Sequence, residues 1–297
     1  MRLLVLSLVL SLGAFAHTDL SKTIEALSAK IAKKPTAELY FQRALEYRAL
    51  REKEHTLEDL RKAIELKPNF RDARFALAEE LGKSDEALRL ALELTAAPGS
   101  SDDSFPSNLL LIRVHQRRGE HKAALKLCKQ LDEKTRDARK DDTGLDLLHA
   151  GILLDLKRPG EAADVLKAAW ERTDSIVARN NWIDTALSAG RAGETLPLIE
   201  EELRTSRLRS SWFIRRARAL LILEKKKEAR SDLVSALLEI NRRLNPARPD
   251  LTLIADRGLI HALMGNKALA GRDMKILQDS TFPTSAYRLL NEQLAEE

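Results

Sequence analysis

A spacing of about 34 residues, at which small and apolar side chains recur, limits the fold of this 297-residue chain more than any other feature. Steps of 4, 7, 16, 20 and 23 residues from Tyr40 lead to Ala44, Tyr47, Thr56, Leu60 and Ala63. The same steps find comparable residues after six further anchors, Arg74, Asn108, Asp146, Arg179, Phe213 and Ile254. The units starting at Arg74 and Arg179 fit least well. A period of this length predicts an array of helix–turn–helix units.

The smallest residues of the pattern occupy fixed places in each unit. In the first helix they are Ala44, Ala78, Ala150, Ala217 and Gly258, and early in the second helix they are Thr56, Ala124, Ala162, Ala229 and Ala270. Small side chains allow two helices to approach closely, so each pair of helices is predicted to pack together at these positions. Glycines follow three of the first helices, at Gly119, Gly190 and Gly265, where a left-handed turn favours them.

Composition supports helix throughout the chain. Hydrophobic residues make up 44% of the sequence, which is enough for a core, and only 12 glycines and 9 prolines interrupt 297 residues. No convincing run alternates β-branched and polar residues, as a half-buried strand would. The sequence therefore predicts an all-α fold.

The repeat resembles the tetratricopeptide repeat (TPR) family over residues 37–283. The resemblance implies a right-handed superhelical α-solenoid of seven units, with capping helices at residues 17–36 and 284–297. The family's usual tryptophan is Tyr40 or Phe213 in two units and polar in others, and its usual first-helix glycine is mostly alanine. The chain is thus a divergent example. Residues 95–107, rich in Pro, Gly and Ser, are predicted to form a long loop between units or a boundary between two sub-arrays.

The first sixteen residues differ in character from the rest. Arg2 precedes a short apolar run, and Ala14-Phe15-Ala16 supplies a small-residue cleavage pattern, as in a secretory signal peptide. We expect cleavage after Ala16, an exported protein that is periplasmic or extracellular, and no stable membrane insertion after cleavage. An uncleaved anchor or a buried helix are the alternatives.

Residues that could perform chemistry are scattered. The sequence lacks the phosphate-binding, zinc-protease and nucleophile-elbow motifs, and we predict no catalytic residue, metal or cofactor.

His115 and His261 share an inward-facing repeat position and are predicted to be satisfied, half-buried histidines. Asp102-Asp103 and Asp141-Asp142 are predicted to lie in turns. The single cysteine, Cys128, cannot form an internal disulfide and is expected to be buried. His17 could chelate copper as a mature N-terminus, but no metal role is expected.

The resemblance also implies a binding surface, because in this family the first helices line a concave face that holds a peptide or helix of a partner. It maps here to Phe41, Leu45, Arg48, Arg113, Arg117, Leu147, Leu148, Arg215 and Arg218. Arginines among apolar residues suggest an acidic or C-terminal peptide. The alternative is that these arginines are plain surface residues or bind carboxylates of neighbouring helices.

The charge balance argues against a nucleic-acid partner, since 50 basic and 45 acidic residues are interspersed. The leading hypothesis is an exported, non-catalytic scaffold that binds a protein or peptide. An accessory or regulatory subunit of an exported enzyme complex is the alternative. An enzyme in its own right ranks third, and a cluster of titratable groups on the concave face would favour it.

Overall fold

The computed structural model describes residues 6–96, 101–139, 141–280 and 282–295, and within these ranges every regular element is a helix. The predicted all-α fold of paired helices is confirmed. The chain forms two compact units, Met1–Lys157 and Arg158–Glu297. None of the described helices is both long enough and apolar enough to span a bilayer.

Unit 1 contains eight helices among its described residues. They are α1 (Leu6–Lys33), α2 (Ala37–Ala49), α3 (Lys53–Leu66), α4 (Arg71–Leu81), α5 (Asp85–Ala96), α6 (Ser101–Arg117), α7 (His121–Thr135) and α8 (Gly144–Asp155). Helices α2 and α3, α4 and α5, and α6 and α7 pack as pairs. The predicted N-terminal cap lies in α1, where Leu27 and Ile31 are buried. Helix α1 begins inside the expected signal peptide, whose first five residues are outside the described part.

Unit 2 contains eight further helices among its described residues. They are α9 (Pro159–Thr173), α10 (Ile176–Ser188), α11 (Ala192–Thr205), α12 (Ser210–Ile222), α13 (Lys226–Arg243), α14 (Leu251–Leu263), α15 (Lys267–Gln278) and α16 (Arg288–Ala295). A short 3₁₀ helix, Thr284–Tyr287, leads into α16. Tyr287 and Leu290 are buried against α14, so the C-terminal segment is part of the core of this unit.

The small residues of the repeat are buried, as the spacing predicts. Ala44, Ala217 and Ala229 have no exposed surface. Gly258 on α14 shows why the position stays small. A Cβ atom there would lie 2.7 Å from Leu290 Cδ2 of α16 and 3.1 Å from the Cβ of Asp273 on α15. Two helices therefore approach α14 closely at one glycine.

The long loop predicted at residues 95–107 is wrong. Helix α5 extends to Ala96, α6 begins at Ser101, and Pro106 lies inside α6. The backbone of Asp102 and Asp103 accordingly lies in the first turn of α6. Proline removes only one backbone hydrogen bond near the amino end, and the buried side chains of α6 outweigh that loss. The division between the compact units falls instead after Lys157.

Buried arginine–aspartate pairs connect the two helices of three repeats, and the sequence analysis missed them. In each pair an arginine of the first helix donates through Nε and Nη2 to both carboxylate oxygens of an aspartate 16 residues later, at 2.5–2.9 Å. The pairs are Arg43–Asp59, Arg216–Asp232 and Arg257–Asp273. The aspartate side chains are at most 7% exposed, so the pairs join each repeat internally.

The turn between the helices of a repeat has a left-handed residue at a fixed place. Gly119, Gly190 and Gly265 adopt φ of 76–78°, which confirms the predicted glycine turns. Arg51 and Glu224 occupy the equivalent place with φ of 61°. A side chain with a Cβ is strained in this conformation, so these two turns retain a cost that glycine avoids.

Replacing Glu224 with glycine should therefore relieve the strain of the left-handed turn. Glycine also gives the unfolded chain more conformational entropy, so the net gain in the free energy of unfolding should be about 0.5–1 kcal/mol. Gly265→Ala should lose about 1 kcal/mol. No atom lies within 4 Å of the Cβ it would add, so only backbone strain contributes. Urea unfolding of both variants measures the two changes. A loss of stability in Glu224→Gly would contradict this explanation of the turn.

Cys128 on α7 is completely buried, as predicted. Burial raises the pKa of its thiol to about 12, and Asp132 and Asp146 add to the effect. The nucleophilic thiolate is therefore almost absent at neutral pH. We expect a thiol reagent to label Cys128 of the folded protein only as fast as the protein unfolds, and rapidly in urea. Fast labelling of the native protein would contradict the structure.

Candidate functional site

In unit 1 the predicted binding arginines gather around one acidic residue of α4. Arg48 of α2 lies 3.1 Å from a carboxylate oxygen of Glu79 and 2.9 Å from one of Glu80. Arg113 of α6 is 4.0 Å from Glu79, and Arg117 donates to the Glu79 carbonyl at 3.0 Å. The first helices of three successive repeats thus meet on one face, where Arg48 and Arg113 already face a carboxylate and Arg117 a backbone carbonyl.

The predicted apolar members of this surface lie on α2 and α8. Leu45 is 41% exposed, whereas Phe41, Leu147 and Leu148 are half-buried. Phe41 packs against Phe70, with ring centroids 5.0 Å apart. These contacts are structural, and their role in binding stays a prediction.

In unit 2 the two predicted arginines converge on Asp184 of α10. Arg215 donates to both of its carboxylate oxygens at 3.1 and 2.7 Å. Arg218 donates to one of them at 2.8 Å and to the Asp184 carbonyl at 3.0 Å. The arginine side chains are only 17% and 11% exposed. The alternative considered for these residues, pairing with a neighbouring helix, is therefore what the structure shows.

A cavity of about 270 Å³ opens beside this pair, between the first helices α10, α12 and α14 and the C-terminal segment. Its charged lining includes Asp184, Arg215, Arg218 and, from α14, Asp256. Asn181 stands exposed at its edge, and Tyr287 closes it from the C-terminal side. We call this the Asp256 cavity.

The two carboxylates of the Asp256 cavity have opposite electrostatic environments. Burial acts to raise the pKa of Asp184, but the positive charges of Arg215 and Arg218 outweigh it and hold that pKa below its usual value. Burial raises the pKa of Asp256 to about 6, with Arg215 opposing the rise and Asp184 adding to it. Asp184 is thus a fixed anion, while Asp256 titrates close to neutral pH.

A second cavity, of about 300 Å³, adjoins the first and shares Arg218, Leu259 and Leu289 with it. Its lining combines apolar side chains of α10, α12, α14 and α16 with the polar Ser188, Arg218, Glu292 and Gln293. The apolar side chains include Leu187, Leu221, Ile222 and Leu263. We call it the leucine cavity. The two cavities together offer charged and apolar contacts on one face of unit 2.

This charged cluster is the feature that would favour an enzyme, so its chemistry matters. Asp184 is held as a carboxylate by two guanidinium groups and is a poor proton acceptor at neutral pH. Among the described residues no three or more His, Cys, Asp or Glu side chains form a group that could hold a metal ion. Asp184 therefore suits recognition of a ligand better than proton transfer.

The two repeat-equivalent histidines differ. His115 Nδ1 lies 2.5 Å from Glu120, in agreement with a satisfied histidine. In His261 the buried Nδ1 has no hydrogen-bond partner among the described residues, so that expectation is wrong for this atom. Burial lowers the pKa of His261, which keeps the ring neutral and reduces the cost of the missing partner.

Comparison with solved structures identifies the class of fold. A tetratricopeptide repeat protein from Parabacteroides merdae superposes with a TM-score of 0.60 at 15% identity, covering 87% of this chain and 98% of that one. The apo form of RapI gives a TM-score of 0.51 at 13% identity, covering 95% of this chain and 94% of that one. No family model matches the sequence, and no curated protein is similar to it.

The chain therefore has the tetratricopeptide-repeat fold.

Proposed function

We propose that this chain is an exported, non-catalytic scaffold that binds a protein or peptide on the first-helix face of its repeats. The observation that carries the proposal is the pair of adjoining cavities between α10, α12, α14 and α16. Together these cavities present apolar side chains beside charged groups, a combination that is typical of recognition sites. The tetratricopeptide-repeat fold, shared with the Parabacteroides merdae protein, supports a role in binding other proteins.

The experiment compares two variants with matched substitutions. Asn181→Trp adds bulk at the edge of the Asp256 cavity, where the asparagine is exposed, while Ser231→Trp adds the same bulk at an exposed site of the second helix α13. Wild-type protein and both variants serve as baits in envelope extract of the native host. We expect a partner that wild type and Ser231→Trp retain and that Asn181→Trp loses. Equal retention by all three would contradict binding at this face.

Identification of the captured partner also separates two kinds of scaffold. An exported enzyme retained in fixed proportion would assign the chain as an accessory subunit of that enzyme, whereas several envelope proteins would assign it as a general scaffold. Nucleic acid in the retained material that nuclease treatment removes together with the partner would contradict the expectation of a protein ligand.

Export rests on the sequence of the first sixteen residues, with Arg2, the apolar run and the small residues ending at Ala16. N-terminal sequencing of the protein purified from its native host tests it. We expect His17 as the first residue and a protein outside the cytoplasm. An intact Met1 would contradict export by cleavage and would leave the binding surface of unit 2 unaffected.

A further inference from the structure

Asp256 is the unsatisfied charge in the site. Among the described residues it makes no hydrogen bond and no ion pair, whereas neighbouring Asp184 receives three hydrogen bonds on its carboxylate. The Asp256 side chain lines a cavity large enough for several atoms of a ligand. A carboxylate in such a place is a ready acceptor for a donor that arrives from outside.

The arginines of the Asp256 cavity are committed to partners within the chain. Arg215 and Arg218 both donate to the Asp184 carboxylate, and Arg218 also donates to the Asp184 carbonyl. The Arg215 guanidinium lies over the Trp212 ring, 4.7 Å from its centroid. Arg288 of α16 lies 3.6 Å from Glu292. An anionic ligand would have to compete with these carboxylates. A cationic ligand would instead pair with Asp256, the acidic group of this cavity that lacks a partner among the described residues.

The leucine cavity offers a second contact, for an apolar side chain of the same ligand. It begins where the Asp256 cavity ends, since Arg218, Leu259 and Leu289 line both. Its volume of about 300 Å³ and its leucine side chains suit a large apolar side chain. Because the two cavities share three lining residues, neighbouring side chains of one bound segment can enter both of them.

We propose that these two cavities recognise a partner segment in which a lysine or arginine adjoins a large apolar residue, with Asp256 accepting the hydrogen bonds of the basic side chain. This specificity rests on the proposed binding function and replaces the acidic partner that the sequence suggested. The basic group binds at the Asp256 cavity, and the apolar side chain enters the leucine cavity.

Binding should then depend on pH through the charge of Asp256. The charged groups that influence Asp256 are Arg215 from α12, Asp184 from α10, Arg243 from α13 and Asp250 from its own helix, and Arg288 of α16 lines the same cavity. With a pKa of about 6, Asp256 is ionised at pH 7.5 and largely protonated at pH 5. Affinity for a basic segment should fall about tenfold as the pH decreases through this range.

The test uses three end-blocked tripeptides as probes, in which leucine flanks a central lysine, norleucine or glutamate. Binding is followed by NMR titration of the whole protein at pH 7.5 and pH 5. We expect saturable binding of the lysine peptide, about tenfold or more tighter than the other two at pH 7.5. Asp256→Asn should remove that preference, while Asp279→Asn, at an exposed site outside both cavities, should keep it.

Several results would overturn the proposal. Preference for the glutamate peptide would assign the site to the arginines, and equal binding of all three would leave only apolar recognition. Absence of binding by the lysine peptide would also reject it, even where Asn181→Trp still loses a captured partner. That last combination would retain the proposed function and discard the basic specificity. If Asp256→Asn fails to fold, the affinity of the wild-type protein for the lysine peptide at pH 7.5 and pH 5 tests the proposal instead, and an unchanged affinity would reject it.

Discussion

Arg216→Met should destabilise the protein by about 3 kcal/mol, because it leaves the Asp232 carboxylate buried without its partner. The aspartate side chain is 7% exposed, and both of its oxygens accept from Arg216 at 2.7 Å. The reverse change, Asp232→Ala, should cost less, since the arginine is 31% exposed and can turn toward water. Urea unfolding followed by circular dichroism measures both losses.

Two controls separate the ion pair from general effects of losing arginine. Arg230→Met, at an exposed place on the same helix α13, should change stability by less than about 0.5 kcal/mol. The double variant Arg216→Met/Asp232→Leu should recover most of the loss, because an apolar pair removes the stranded charge. A double variant no more stable than Arg216→Met alone would show that the pair is not the cause.

Ala229→Leu should destabilise the protein by about 1–3 kcal/mol through overpacking. Ala229 and Ala217 have no exposed surface and belong to the core of unit 2, where α12 and α13 pack as a pair. Glu228→Leu places the same side chain one residue earlier on the exposed face of α13 and should change stability by less than about 0.5 kcal/mol. Equal losses in the two variants would show that the repeat spacing is misassigned here.

The close packing of helices explains why so much of the fold follows from the sequence. Small residues recur because larger ones would collide, as the 2.7 Å approach at Gly258 shows, so their spacing carries the repeat. Pro106 was misleading because local preference against proline in a helix is weaker than the packing of α6 as a whole. The arginine–aspartate pairs were missed because charged residues are common, and only a 16-residue comparison between units reveals Arg43–Asp59 and its equivalents.

The candidate site was only partly predictable. Arg215 and Arg218 lie on the first helix α12, and their partner Asp184 lies 31 and 34 residues earlier, one repeat away. That spacing matches the repeat period and could have indicated the pairing. The contribution of Tyr287 could not be deduced, because the repeat does not determine how a terminal helix packs on α14. The cavity therefore depends on an element outside the periodic pattern.

Site-directed photocrosslinking tests the central claim, that the first-helix face of unit 2 binds a partner, most directly. A photoreactive amino acid is placed either at Asn181, at the edge of the Asp256 cavity, or at Ser231, on the second helix α13, and the cells are irradiated. We predict a discrete crosslinked protein from position 181 and none from position 231. Crosslinks of equal yield from both positions, or from position 231 alone, would contradict the assignment of this face as the binding surface.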